Sequence, residues 1–293
     1  MEPSDSLDLL FREAVAAIDR GDLPKLEGLL ASHPELVSRR LAAPGEWLRG
    51  QVGGALDGFF HEPYLLWFVA EDPVRNGKLP ENIAAVARAI VAAARRHAAD
   101  SFQEQIDTAL QLTSWSWIAR ECGVQIALMD VLLDAGASPH GNPDAAIVNG
   151  NFEAAEHLLA RGAALTLGAA LCLGHTEDLP RLTQAASDRE RQYALVLAAL
   201  KGKADGVRWM LQHGADANRP SDMLYAHGTP LHHAVSSGSL DTVQALVKAG
   251  ASVRTQDSAW KSTPLGWAEH NLEDDQRKEG RQYAEIAAYL RTK

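Results

Sequence analysis

Apolar residues along this chain recur every three or four positions, the spacing of one helix face, and not in the alternation of a strand. Val243, Leu246 and Val247 stand in this order, and Val207, Met210 and Leu211 repeat it. Ile83, Val86, Ile90 and Val91 fill one face of 81–98, and Phe102, Ile106 and Leu110 lie four apart. Polar residues occupy the positions between, so each segment predicts a short amphipathic helix with one buried side. Glycines punctuate these segments at a fixed interval. Gly150 to Gly162, Gly202 to Gly214 and Gly238 to Gly250 each span 12 residues, and Gly123 to Gly136 spans 13. A glycine closes a helix in the left-handed conformation at little cost. The interval therefore predicts a helix ended by one glycine, then a second helix ended by the next. The series starts around Gly21, and a shortened copy surrounds Gly174.

Two of the first helices carry a start signal. Thr229 can cap a free backbone N–H, and Pro230 follows where its missing N–H costs nothing. Thr263 and Pro264 repeat the device 34 residues later. The full phrase, TPLHHAVSSGSLDTVQALVKAGASV from Thr229 to Val253, resembles the ankyrin repeat, whose signature reads TPLHxA, a glycine, then VxxLLxxGA. Thr263 to Ala268, Gly202 to Asn218 and Gly150 to Ala163 match in part. Before residue 136 TPLH is absent, and YLLWFVA (Tyr64 to Ala70) and SWSWIARECG (Ser114 to Gly123) read as degenerate first helices. The resemblance is to a bacterial-type member of the family with a degenerate N-terminal half. It implies an all-α solenoid of about eight stacked helix-turn-helix units with short hairpin loops. Residues 1–136 would be expanded repeats with inserted helices. Residues 137–293 would be regular repeats and a C-terminal cap, in one continuous solenoid. The resemblance also makes His232 a structural hydrogen-bonding residue at the repeat junction.

The pattern is overgrown in two places. Between Ala70 and Ser114 a long second helix and a further helical piece, SFQEQIDTALQLT, are inserted. LEDDQRKEGR, Leu272 to Arg281, is highly charged and reads as solvated, and YAEIAAYLRTK closes the stack. The hairpin loops, or fingers, should be longest before Thr229 and before Thr263, with a tight loop after Arg161. GQVGGALDGFF, Gly50 to Phe60, lacks the Lys-Ser/Thr of a phosphate loop and the GxGxxG order of a dinucleotide turn, so a flexible loop is expected there.

The formal net charge is -10 and no basic run exists, which argues against nucleic acid and anionic lipid as partners. A basic protein partner is electrostatically favoured. The N-terminus lacks the marks of a signal peptide, and the longest apolar stretches contain a charge and are short, so a cytoplasmic monomer that spans no membrane is expected. Cys122 and Cys172 form neither a disulfide framework nor a zinc spacing, and read as small apolar residues on helices.

Catalytic signatures are missing: no GxSxG, no HExxH and no catalytic Cys/His pattern occurs. His227, His232 and His233 cluster near Asp222, but none of the pairs has the four-residue helix spacing that a zinc site wants, and neighbours on a helix face apart. No metal, cofactor or catalytic residue is expected. Trp209 and Trp267 fall on positions that should be buried, and Trp67, Trp115 and Trp117 should pack in the expanded region. Trp260 falls on a finger, where an aromatic either packs on the neighbouring finger or anchors a partner. The resemblance implies binding through finger tips and the inner faces of the first helices. The matching positions are Met223, Tyr225, His227, Trp260 and Lys261 on fingers, and Leu200, Lys201, Ser236 and Ser237 on inner faces. Thr229, Pro230, His232, Gly238, Gly250, Thr263 and Pro264 belong to the repeat framework. Protein recognition through the concave face is therefore expected. One alternative is an inhibitor or immunity-type binder of a basic protein; another is an enzyme that uses the expanded N-terminal region.

Overall fold

The computed structural model describes residues 3–139, 142–273 and 281–293. Every regular element among them is helical, with one isolated β-bridge between Ser221 and Leu224. None of the described helices is long and apolar enough to cross a membrane. Two compact units are present, Met1–Ala164 and Leu165–Lys293.

The first unit opens with the pair α1 (Pro3–Arg20) and α2 (Leu23–Ser32), joined at Gly21 with φ 65°. The short α3 (Glu35–Ser38) and α4 (Glu46–Val52) follow. Next come α5 (Ile83–His97), α6 (Phe102–Trp115), α7 (Trp117–Glu121), α8 (Gln125–Asp134), α9 (Asn142–Val148) and α10 (Phe152–Ala160). One layer runs α1, the 3-10 turn Leu65–Ala70, α6 and α9; the other runs α2, α5, α8 and α10. Ile83, Val86, Ile90 and Val91 are buried on α5 as their spacing predicts.

In the second unit the layers are regular. The inner helices are α11 (Leu167–Leu173), α13 (Asp188–Leu200), α15 (Pro230–Ser237) and α17 (Pro264–Glu273), each packed on the next. Their outer partners are α12 (Leu179–Ala185), α14 (Ala204–Gln212), α16 (Leu240–Lys248) and α18 (Tyr283–Arg291). Among the described residues, four pairs in each unit match the about eight that the resemblance implied. Val207, Met210, Val243 and Leu246 are fully buried, each side chain stabilising by about 1.5–3 kcal/mol. Gly238 and Gly250, with φ 73° and 89°, end α15 and α16 in the left-handed conformation.

The expanded region departs from its sequence reading. Tyr64 to Ala70 is not a full first helix but a 3-10 turn, buried at every position and closed by Glu71 at φ 52°. Apolar residues on all sides remove the amphipathic stripe that would favour a longer helix. The inner layer is completed by α6, the piece read as an insertion, while Trp117–Glu121 is only a short appendage after Ser116. The glycine-rich stretch 50–60 is not a flexible loop. It continues α4 into the 3-10 turn Gly53–Asp57, because Leu56 and Phe60 bury their side chains. Trp117 is 47% exposed instead of packed, and Trp209 and Trp267 are only half-buried. Cys172 is buried on α11, whereas Cys122 lies just past α7 and is exposed. Of the charged stretch 272–281, residues 274–280 lie outside the described residues.

Candidate functional site

Residues 213–229 link α14 to α15, and residues 249–263 link α16 to α17; these are the two long fingers, against only six residues between α10 and α11. The first finger is clamped at its base by Gln192 of α13. Its amide donates to the Asp216 carbonyl at 2.9 Å and to that of Arg219, and its oxygen accepts from Asp216 N–H at 3.0 Å. Asn218 then bridges to the second finger, donating to the Gly250 carbonyl and accepting from Ser252 N–H at 2.7 Å. Ser258 N–H donates to the His227 carbonyl at 2.8 Å.

The second finger folds around Asp257. Its Oδ1 accepts from the N–H groups of Ala259 and Trp260 at 2.8 and 2.6 Å. Its Oδ2 accepts from Ser262 N–H and from the Trp267 indole, both at 3.0 Å. Burial pushes this carboxyl up, but the bonds from Trp260, Trp267, Ser262 and Ala259 outweigh it and hold the group down at about 2. Asp257 is therefore an anion at neutral pH, 2% exposed beneath Trp260 and Trp267.

The start of α15 fixes the remaining walls. His232 Nδ1 accepts from Thr229 N–H at 3.1 Å and from the Thr229 hydroxyl at 2.8 Å. With that nitrogen accepting, the Nε2–H donates to the Ser262 carbonyl at 3.1 Å and ties one repeat to the next. This is the junction role that the resemblance implied. His233 points elsewhere and donates to the Tyr225 carbonyl at 3.2 Å. Burial pushes His233 down to about 4 and lowers His232 as well, so His233 is uncharged at neutral pH.

These elements enclose an open groove of about 760 Å³ in the second unit, lined by Leu200, Tyr225, His227, His233, Ser236, Trp260, Ser262, Gly266, Trp267, His270 and Asn271. Leu200, Ser236 and His270 are equivalent positions on successive inner helices. His227 is the hub of the rings, 5.0 Å from Trp260, 5.9 Å from Trp267 and His233, and 6.2 Å from Tyr225. Trp260 packs on His227 of the neighbouring finger and stays 67% exposed.

Five residues singled out from sequence thus meet in one groove: Leu200, Tyr225, His227, Ser236 and Trp260. Met223 is exposed outside the lining. Lys261 is exposed and turns its Nζ back onto the Ser258 carbonyl at 3.1 Å. Ser237 spends its hydroxyl on the Ala234 carbonyl at 2.7 Å. Lys201 is pushed down to about 8 by burial, opposed by Cys172 and reinforced by Arg281. The carbonyls of Ser236 and Ser237 are occupied from within the chain, by Arg281 at 2.9 and 2.6 Å, and Tyr283 adds a bond to Ser236. Sequence reasoning missed His270 and Asn271, which the 34-residue step from Ser236 and Ser237 would have found, and Asp257, whose signal was the local phrase Asp-Ser-Ala-Trp. Among the described residues no group of three His, Cys, Asp or Glu side chains is placed to hold a metal ion.

A family model of ankyrin repeats, three copies, matches residues 144–257. The chain is 30% identical over 128 residues to the human cyclin-dependent kinase 4 inhibitor B, covering 33% of this chain and 85% of that protein. It is also similar to the crystal structure of the human ASB11 ankyrin repeat domain, at 17% identity and a TM-score of 0.34, covering 64% of this chain and 82% of that one.

Proposed function

We propose, from the premise that this chain belongs to the ankyrin-repeat family, that it recognises a partner protein through the ring-walled groove of its second unit. One observation carries this: Trp260 and Tyr225, 67% and 50% exposed, stand on adjacent fingers at the mouth of one groove. Large amphipathic rings held rigidly at a concave surface supply hot-spot anchors at small entropic cost. The hydrogen bonds of Gln192, Asn218 and Asp257 set the fingers beforehand, which reduces the ordering needed on binding.

The test is capture with the full chain, followed by a binding measurement on the purified partner. A stoichiometric partner should lose roughly 30-fold or more in affinity for the double variant Tyr225→Ala, Trp260→Ala. Equal affinity for parent and variant would place the interface elsewhere.

A second reading makes the binding inhibitory. It is favoured by the match to 85% of a protein named as a kinase inhibitor. The net charge of -10 suits a basic target surface. Under this reading the purified partner's own activity falls in proportion to the bound fraction, and full activity in the saturated complex rejects it.

A further inference from the structure

We propose that the groove receives an arginine side chain of the partner, its guanidinium lying on the Trp260 and Trp267 rings above the buried Asp257 carboxylate. This rests on the groove being the interface and adds the chemistry of what enters it.

The walls are electron-rich rings with no Lys, Arg, Asp or Glu in the lining. A ring face attracts a cation, and indole does so best. The sign of the site is set by Asp257, whose Oδ2 accepts the Trp267 indole N–H at 3.0 Å. This bond leaves an anion at the edge of the indole, in the ring plane, and enriches the ring's π face. The field of that anion also reaches His232, outside the lining, and favours its charged form. His233, the most buried imidazole of the lining, is neutral at ordinary pH and opposes no incoming cation.

The chain's own cations are held off. Lys261 is turned back onto Ser258, and Arg281 is spent on the carbonyls of Ser236 and Ser237. A guanidinium suits the cleft better than an ammonium because it is planar, stacks on rings and is weakly hydrated. The first unit holds an internal example: Arg40 lies 4.4 Å over the Tyr64 ring and 5.4 Å over that of Trp67. Asn271, 6% exposed, adds to the lining a residue type whose carboxamide oxygen can accept guanidinium N–H bonds.

The test uses the full chain, labelled with nitrogen-15, and two tripeptide probes: acetyl-Gly-Arg-Gly-amide and its citrulline counterpart, equal in shape but uncharged. The arginine probe should shift the indole N–H signals of Trp260 and Trp267 saturably, and bind at least about threefold tighter than the citrulline probe. Asp257→Asn should erase that preference, and Trp260→Ala, with its ring mostly in solvent, should abolish the arginine-induced shift of the remaining Trp267 indole even if the first variant folds poorly. Equal binding of the two probes, or no indole shift with arginine, overturns the proposal. If either occurs while the Tyr225/Trp260 variant still loses its protein partner, the groove stands and only the arginine assignment falls.

Discussion

A single carboxylate, Asp257, accepts four N–H bonds, three from its own finger and one from the Trp267 indole. Removing it in Asp257→Ala takes away the shared acceptor of those donors, in a turn whose residues 258–261 are otherwise exposed. The expected loss is about 2 kcal/mol or more in denaturant unfolding, with a smaller loss for Asp257→Asn, which keeps acceptors but not the charge. The two charge-sensitive groups act in separate pH windows. Asp257 is depressed from 3.8 to about 2, so the unfolded chain takes up its proton first and stability falls as pH drops from about 4 to about 2. His233 is depressed from 6.5 to about 4. Its stabilising share is whole above 6.5 and is lost as pH falls toward 4, because only the unfolded chain gains that proton. Thermal melts at pH 7.5 and 5.0 should differ by more for the parent than for His233→Gln; parallel shifts would sink this reading. Residue roles were legible where the repeat fixes them, as for Thr229, His232 and Gly238. Asp257 and Gln192 escaped because their partners are backbone groups of loops, whose path the helix period does not encode.

Elements follow the same division. The helices α14 to α16 were readable because each has one apolar stripe and a glycine stop, and α15 and α17 because each has a Thr-Pro start. The start of α15 depends on Thr229, 5% exposed, whose N–H and hydroxyl both engage His232. Thr229→Ala should cost about 1 kcal/mol, read as a lower denaturant midpoint at unchanged slope. The stop depends on Gly238 at φ 73°, where a Cβ would also collide with the Arg281 side chain. Gly238→Ala should therefore cost more than the about 1 kcal/mol of a left-handed alanine alone. The Arg281 Cβ is itself among the colliding atoms, so restoring stability by adding Arg281→Gly, which removes it, would identify the collision as the excess. In the first unit the signal fails for a physical reason. Leu65 to Ala70 is buried on every side, so no periodicity distinguishes a 3-10 turn from a helix, and Gly50–Phe60 hides two buried anchors, Leu56 and Phe60, among glycines.

Across the whole chain, stability should be local, because each helix draws its support from its sequence neighbours. The contacts of α16 are with α14, α15 and α18, and those of α5 are with α2, α3, α6, α8 and nearby 3-10 turns. In such an array the cost of a cavity is felt most by the repeats that touch it and fades along the stack. Leu246 is fully exposed to its neighbours' side chains and not at all to water, so Leu246→Ala should cost about 2–5 kcal/mol. Amide hydrogen exchange resolves where that cost appears. Exchange should quicken in α14 to α18 while α1, α2 and α5 keep the parent's protection. An equal loss of protection from α1 to α18 would mean that the chain opens as one cooperative body. In that event the groove could not be loosened independently of the first unit, and the finger variants would have to be judged against global stability before any change in binding was assigned to the site.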